Sequence, residues 1–288
     1  MKLPRRRFLQ LAAGAAALPA VSRTARADTY PSRPVHIIVG YAAGGPTDLV
    51  ARLMGQWLSE RFGQQFIIEN RPGAGSNIAA ETVVRAAPDG YTLLELTNAS
   101  AVNVTLYKNL NFNLIHDVTP VAGNVRGSAA DIYGALFKMM AGVDLVTVAY
   151  RGAAPALIDL IGGQVQVMFD PLSSSIEHIK TGRLRPLAVT TATRLEVLPD
   201  IPTVGDFVPG YEASSWNGIA APKNTPAEIV DKLNKEINAA LADPKMKARL
   251  AEFGGIVLAG SPSDFGRLIA DETEKWAKVI KYSGMKSD

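Results

Sequence analysis

The sequence contains no cysteine, which excludes disulfides, thiol catalysis and cysteine-bearing metal sites and leaves packing to hold the fold. Histidine is nearly as scarce, with only His36, His116 and His178. No two of them stand at metal-ligand spacing, and His36 alternates within a strand pattern. Neither an H-E-x-x-H helix nor a G-x-S-x-G turn occurs. No metal, cofactor or catalytic residue is expected, and the chain does not read as an enzyme. From residue 28 onward no apolar run is long enough to cross a bilayer, so stable membrane insertion is not expected.

A surplus of positive charge is also missing once the N-terminus is set aside. Lys2, Arg5, Arg6 and Arg7 precede an apolar stretch from Phe8 to Leu18, and Ala25-Arg26-Ala27 offers a small-x-small cleavage site before Asp28. This is the pattern of an export signal over residues 1–27, cut between Ala27 and Asp28. Arg5-Arg6-Arg7-Phe8-Leu9 has twin-arginine spacing, which implies export in the folded state; an ordinary signal with an arginine-rich start fits the same residues. The 30 basic residues of the whole chain fall to 24 when the six at positions 2, 5, 6, 7, 23 and 26 leave, against 27 acidic ones. The calculated pI of 9.0 therefore belongs to the signal, and nucleic acid is not an expected partner. A periplasmic, monomeric protein is the expectation.

What is present is the grammar of an α/β protein, in 288 residues that suffice for two lobes. Val35 to Val39 reads as a strand. Leu49, Val50, Leu53, Met54, Trp57 and Leu58 form a helical stripe that stops at Gly63. Gln65 to Glu69 is a second strand, Ile78 to Ala87 a second helix, and Tyr91 to Leu96 a third strand after the Pro88-Asp89-Gly90 turn.

A polar stretch from Asn98 to Asp117 and a short strand at Pro120-Val121-Ala122 lead into a second lobe. There, helices are expected at Asp131 to Met140, Pro155 to Ile161 and Ser174 to Lys180, and strands at Leu145 to Tyr150, Val165 to Phe169 and Leu187 to Thr190. Ser214 to Ala221 reads as the return. Thr225-Pro226-Ala227-Glu228 and Ser261-Pro262-Ser263-Asp264 each start a helix, with a strand at Gly255 to Ala259 between them. Two crossovers imply a hinge. The expected architecture is α/β and two-lobed, each lobe a mostly parallel sheet flanked by helices. Residues 28–122 and 216–288 form the first lobe and 123–215 the second.

Two glycine-rich loops follow strands of the first lobe, Tyr41 to Asp48 and Asn70 to Asn77. Unpartnered N–H groups at the start of each following helix suit a carboxylate or phosphate, and glycine permits close approach; the same glycines also serve plain tight turns. Gly73-Ala74-Gly75 continues to Ile78 where a dinucleotide fingerprint needs glycine, and no Walker lysine follows. Asp170, ending a second-lobe strand, suits either a ligand's polar group or a cap on the next helix. Tyr150-Arg151-Gly152 also follows a strand, and Arg151 suits a carboxylate as well as an exposed surface.

Taken together, several stretches resemble the substrate-binding component of tripartite tricarboxylate transporters, the Bug (TctC-like) family. They are Tyr30-Pro31-Ser32-Arg33-Pro34, Gly44-Gly45-Pro46-Thr47-Asp48, Glu69-Asn70-Arg71-Pro72-Gly73-Ala74-Gly75, Pro88-Asp89-Gly90-Tyr91-Thr92-Leu93-Leu94 and Leu106-Tyr107-Lys108. Further along come Leu136-Phe137-Lys138-Met139-Met140, Tyr150-Arg151-Gly152, Phe169-Asp170 and Leu198-Pro199-Asp200-Ile201-Pro202-Thr203-Val204. The resemblance implies a two-lobed fold of the type II periplasmic-binding-protein kind, which closes on a small carboxylic acid and docks on the membrane subunits of such a transporter. It implies ligand contacts at Tyr41, Ala42, Gly44, Gly45, Thr47, Asp48, Gly75, Ser76, Thr97 and Asn98 in the first lobe, and Ser128, Tyr150 and Asp170 in the second.

The chain departs from the family pattern in two places. Tyr41 replaces the usual phenylalanine. Between Gly123 and Ser128 only four residues stand where relatives carry roughly forty, about one strand-helix-strand unit. Ser128 and Ala129 are therefore expected to be displaced, with an exposed sheet edge or apolar patch nearby. Two further readings remain open at this point, a truncated relative that does not bind and a secreted enzyme that uses the glycine loops for a phosphorylated or acyl substrate.

Overall fold

Three apolar, largely β-branched segments, β1 (Val35–Val39), β2 (Phe66–Asn70) and β3 (Thr92–Thr97), pair in parallel in the order β2-β1-β3. In the computed structural model, residues 30–107, 109–127, 131–148, 150, 153–252 and 255–285 are described. The signal, its Ala27/Asp28 cleavage site, Lys108, Ser128, Ala129 and Arg151 lie outside them. Contacts gather Arg33–Asp288 into one unit; Met1–Ser32 form another, of which Tyr30–Ser32 are described.

Each strand is followed by a helix, after a glycine-rich loop for β1 and β2. α1 (Pro46–Phe62) has Gly45 as its N-cap and proline in its first turn, where no N–H is needed, and it stops at Gly63 in the left-handed conformation, φ 67°. α2 (Asn77–Val84) follows β2, and α3 (Asn98–Leu106) follows β3 with no intervening loop. A helix thus occupies much of the stretch expected to be an irregular polar connection, and a second, short one, α4 (Leu114–Asp117), closes it with Asn113 as a side-chain cap.

The sheet is mixed. β4 (Val118–Gly127), far longer than the three-residue piece expected, and β5 (Ser215–Pro222) join it antiparallel beside β3, and β6 (Ile256–Val257) closes the edge, giving the order β2-β1-β3-β5-β4-β6. β4 carries the chain away from the sheet and β5 brings it back, paired from Val118↔Pro222 to Gly127↔Ser215. Because the departing and returning strands are neighbours of opposite direction, half of the sheet is antiparallel where a mostly parallel one was expected.

Three helices return to this sheet: α8 (Ala227–Ala242), α9 (Pro244–Glu252) and α10 (Pro262–Ser283). The Ser261/Asp264 capping box starts α10, as the sequence pattern implies. Trp276 of α10 is fully buried, stacked on Tyr133 at 5.6 Å, and Trp216 of β5 meets Phe265 edge-on at 5.5 Å. Leu94 and Leu96 of β3 belong to the same core.

Residues 131–214 provide α5 (Asp131–Ala141), α6 (Ala153–Ile161) and α7 (Leu172–Lys180), close to the helices expected there. The expected strands do not form. Leu145 to Tyr150, Val165 to Phe169 and Leu187 to Thr190 make no ladder among the described residues beyond a single bridge, Val189↔Thr203. A strand exists only when a neighbour accepts its backbone bonds, and among the described residues no neighbouring strand lies beside these segments. Val146, Val148, Val167 and Leu187 are consequently exposed, Val146 at 91%.

Candidate functional site

Parallel pairing of β2, β1 and β3 puts their C-terminal ends on one edge of the sheet, and the N-termini of α2, α1 and α3 open there. The first N–H groups of each helix have no partner within it, and the three N-caps, Gly45, Ser76 and Thr97, make no side-chain cap bond. Three helix starts therefore present donors and positive dipole ends to one place.

In the first loop Gly44 adopts φ 84° and its N–H donates to Asp48 Oδ2 at 2.8 Å. Asp48 is buried and is further bonded by Arg52 Nε at 2.9 Å and Asn70 Nδ2 at 2.8 Å. Burial raises its carboxyl pKa, but the bonds from Arg52, Gly44 and Asn70 outweigh that and hold it below the usual range. Asp48 thus shapes the loop with its side chain, while Ala42, Ala43 and Gly44 stay exposed.

The second loop is a run of left-handed backbone: Gly73 φ 131°, Ala74 φ 47°, Gly75 φ 63° and Ser76 φ 79°. Non-glycine residues in that region store strain and persist only where neighbours hold them. Here Asn103 of α3 donates to the Gly75 carbonyl at 2.6 Å and to Asn77 Oδ1 at 3.1 Å. Ser76 lies against Gly40, where an added Cβ would come within 1.9 Å of Ser Oγ. Asn77 Nδ2 is buried with no partner.

The third element, the β3–α3 junction, is tied to the first loop by Tyr41 Oη and Thr97 Oγ1, 2.9 Å apart. Burial raises the Tyr41 phenol despite that bond, which acts to lower it. Asn70 joins the first two loops by donating to the Tyr41 carbonyl at 3.0 Å. Tyr41, Ala42, Gly44, Gly45, Thr47, Asp48, Gly75, Ser76, Thr97 and Asn98 are therefore gathered at one sheet edge.

Among the described residues, no hydrogen bond ties the second-half candidates to this edge. Tyr150 donates to Asp159 Oδ2 at 2.7 Å, and that bond raises its phenol pKa. Asp170 accepts from Ser174 Oγ at 2.6 Å, a local contact at the start of α7, while its Oδ1 is buried without a partner. His36 is half-buried on Glu69 at 2.6 Å, and no group of three metal-ligating side chains occurs among the described residues.

Sequence reasoning passed over Glu95. It is an acid set among the leucines of β3, and that oddity was its signal. It is 1% exposed, accepts from Asn124 Nδ2 at 2.9 Å, and burial pushes its carboxyl up to about 8. Asn70 and Asn103, which fasten the loops, carried no such signal.

Comparison with known proteins finds relatives that match most of the chain. The model of the tripartite tricarboxylate transporter family receptor matches residues 50–132 and 125–285. A UPF0065 protein of Bordetella bronchiseptica is 35% identical over 298 aligned positions, covering 91% of this chain and 89% of its own length. Since 91% of 288 residues is about 262, about 36 of those 298 positions have no counterpart here. The two family matches meet at residues 125–132, where the sequence implied a missing unit. Among solved structures, an R. palustris protein with adipate superimposes with a TM-score of 0.74 at 35% identity, over 89% of this chain and 99% of that one. The periplasmic binding protein BugD gives 0.73 at 32%, over 90% and 100%.

Proposed function

The chain belongs to the tripartite tricarboxylate transporter receptor family, and from that premise we propose that it is a periplasmic solute-binding protein that captures a small carboxylate. The observation that carries this reading is the convergence of three helix N-termini with two glycine turns at one sheet edge. The ligand's acid group sits on backbone N–H groups at Thr47 and Asp48 and at Gly75, with Ser76, Thr97 and Asn98 beside it. The R. palustris relative, of the same fold, is known with adipate, which favours a dicarboxylate.

The remaining parts follow from the same reading. Residues 28–122 with 216–288 form one lobe and 123–215 the other. β4 and β5 are the hinge between them, and Ser128, Tyr150 and Asp170 meet the ligand when the lobes close. Residues 1–27 direct export by the twin-arginine route and are removed. The mature protein is monomeric, carries no cofactor, catalyses no reaction and hands its ligand to the transporter's membrane subunits. No helix among the described residues is long and apolar enough to span a membrane.

Isothermal titration of the folded protein with adipate, malate, citrate, glutamate and benzoate tests this. Saturable heat from at least one is expected; silence from all five abandons the receptor. A second reading, a relative that has lost binding, draws on the unpaired segments after Gly127 and the roughly 36 missing positions. Thermal melts unmoved by every acid, with the fold intact by circular dichroism, favour it.

A further inference from the structure

Glu95 and Thr97 lie two residues apart on β3 and share a face, about 7 Å apart along the strand. Thr97 carries the hydroxyl that meets Tyr41 at the crevice rim, so Glu95 sits one pleat beneath the acid-binding edge. An ionised carboxylate in that position requires a cation or a full set of donors. No charged partner contributes to its environment.

Its hydrogen bonds are short of one donor. Glu95 Oε1 accepts from Asn124 Nδ2 at 2.9 Å, and the Asn217 side chain also bonds the carboxyl. Glu95 Oε2 and Asn124 Oδ1 are both buried without a partner. Both are acceptors when Glu95 is ionised, and turning the Asn124 amide over merely strands its other atom. One proton on the carboxyl supplies the missing donor.

We propose that Glu95 is kept as a neutral carboxylic acid under the crevice and that its proton couples carboxylate capture to pH, binding weakening once Glu95 ionises. The coupling rests on the receptor reading above; the protonation does not. A bound acid group lies about 8 to 10 Å from Glu95, a separation at which a second negative charge lowers affinity roughly ten- to thirtyfold at an interior dielectric of about 20. Burial puts the change of charge within reach, at about pH 8. Below that value Glu95 is neutral and binding is intact. Above it the site is charged, and ligand binding must draw in a proton.

Other charges around the strand are matched elsewhere. His36 of β1 pairs with Glu69, Asp48 of α1 with Arg52, and Glu81 of α2 with Arg85. Arg126 of β4 pairs with Glu212, and Glu272 of α10 with Lys275. α3, β5 and β6 carry no charged side chain, while Glu228, Asp231, Lys232 and Lys235 of α8 are exposed and its Glu236 pairs with Arg61. The remaining charged residues of α10 within its span are likewise exposed. None of these supplies a counter-charge to Glu95.

The test titrates adipate and malate calorimetrically into the wild type and Glu95→Gln, from about pH 6.5 to about pH 9.5 in buffers of differing ionisation heat. Gln reproduces the neutral acid's donor and acceptor without a titration. Wild-type affinity is expected to fall roughly ten- to thirtyfold above pH 8 with proton uptake, while the variant stays level. Difference infrared spectra of the ligand-free wild type report the protonated carbonyl independently, as a band present at neutral pH and absent from the variant.

Equal pH profiles for both proteins overturn the coupling alone, and a wild type without that band overturns the protonation. If neither of these two, nor citrate, glutamate or benzoate, binds at any pH although the band is present, the receptor reading falls, and the coupling with it.

Discussion

Val35 to Val39 and Leu145 to Val148 are similar extended apolar runs with opposite fates. The first pairs on both sides and is buried almost throughout; the second pairs with nothing among the described residues and leaves Val146 and Val148 exposed. Composition does not separate them. What differs is the supply of neighbours: β1 has β2 and β3 beside it, whereas no described strand lies beside residues 145–148. A strand's stability is a property of the sheet it joins, so an apolar run without a neighbouring strand stays unpaired.

The largest effect we expect falls where the well-paired region buries a carboxyl. Glu95 has a folded pKa raised to about 8, so the folded state holds a proton that the unfolded chain releases near pH 4.5. Stability is therefore full below the unfolded value and declines as pH rises towards 8. Wild type should lose about 4 kcal/mol between pH 5 and pH 8 that Glu95→Gln keeps, at about 1.4 kcal/mol per pH unit. Urea unfolding at both pH values measures it, and parallel curves would show Glu95 ionised throughout.

Gly40→Val strikes the junction between the two glycine loops. With Ser76 Oγ only 1.9 Å from an added Cβ, a loss of about 3 kcal/mol is expected in denaturant melts, together with loss of carboxylate binding. A neutral outcome would mean the loops separate freely.

Asp48→Asn removes the charge that gathers Gly44, Arg52 and Asn70, costing about 2 kcal/mol at neutral pH. Since the Asp48 carboxyl is held below its ordinary range, its contribution is present above the unfolded pKa and disappears as pH falls through the folded one. The variant's acid limb should accordingly be shallower, as measured by thermal melts from about pH 5 to about pH 2.5.

At the small end, Val146→Ser should change stability by no more than about 0.5 kcal/mol, because the side chain is already 91% exposed, and should improve solubility. A cost above about 2 kcal/mol in the same melts would show that Val146 is buried in solution and would erase the contrast between the two regions.

Much of the first region was legible. The alternation of β-branched runs and helical stripes marks β1 to β3 and their helices, and Ser261 with Asp264 marks the start of α10. The loops at Gly44 and Gly73 to Ser76 announced themselves by glycine at strand ends. Glu95 was visible only as an acid among leucines, and its meaning came from Asn124, which is 29 residues away in sequence and 2.9 Å away in space. The long extent of β4 and the antiparallel half of the sheet were hidden for the same reason, since pairing direction depends on where a distant segment returns.

By itself the sequence determined local things: which segments can be helix or strand, where helices begin, where glycine must turn, and that no cysteine would hold the result together. Tertiary structure alone decided that three helix starts share one edge, that Glu95 is sealed from water, and that, among the described residues, the apolar runs at 145–148 and 165–169 go without strand partners. The division is physical. Turn and helix preferences act over a few residues, while burial and strand pairing depend on segments that meet only after the chain has folded.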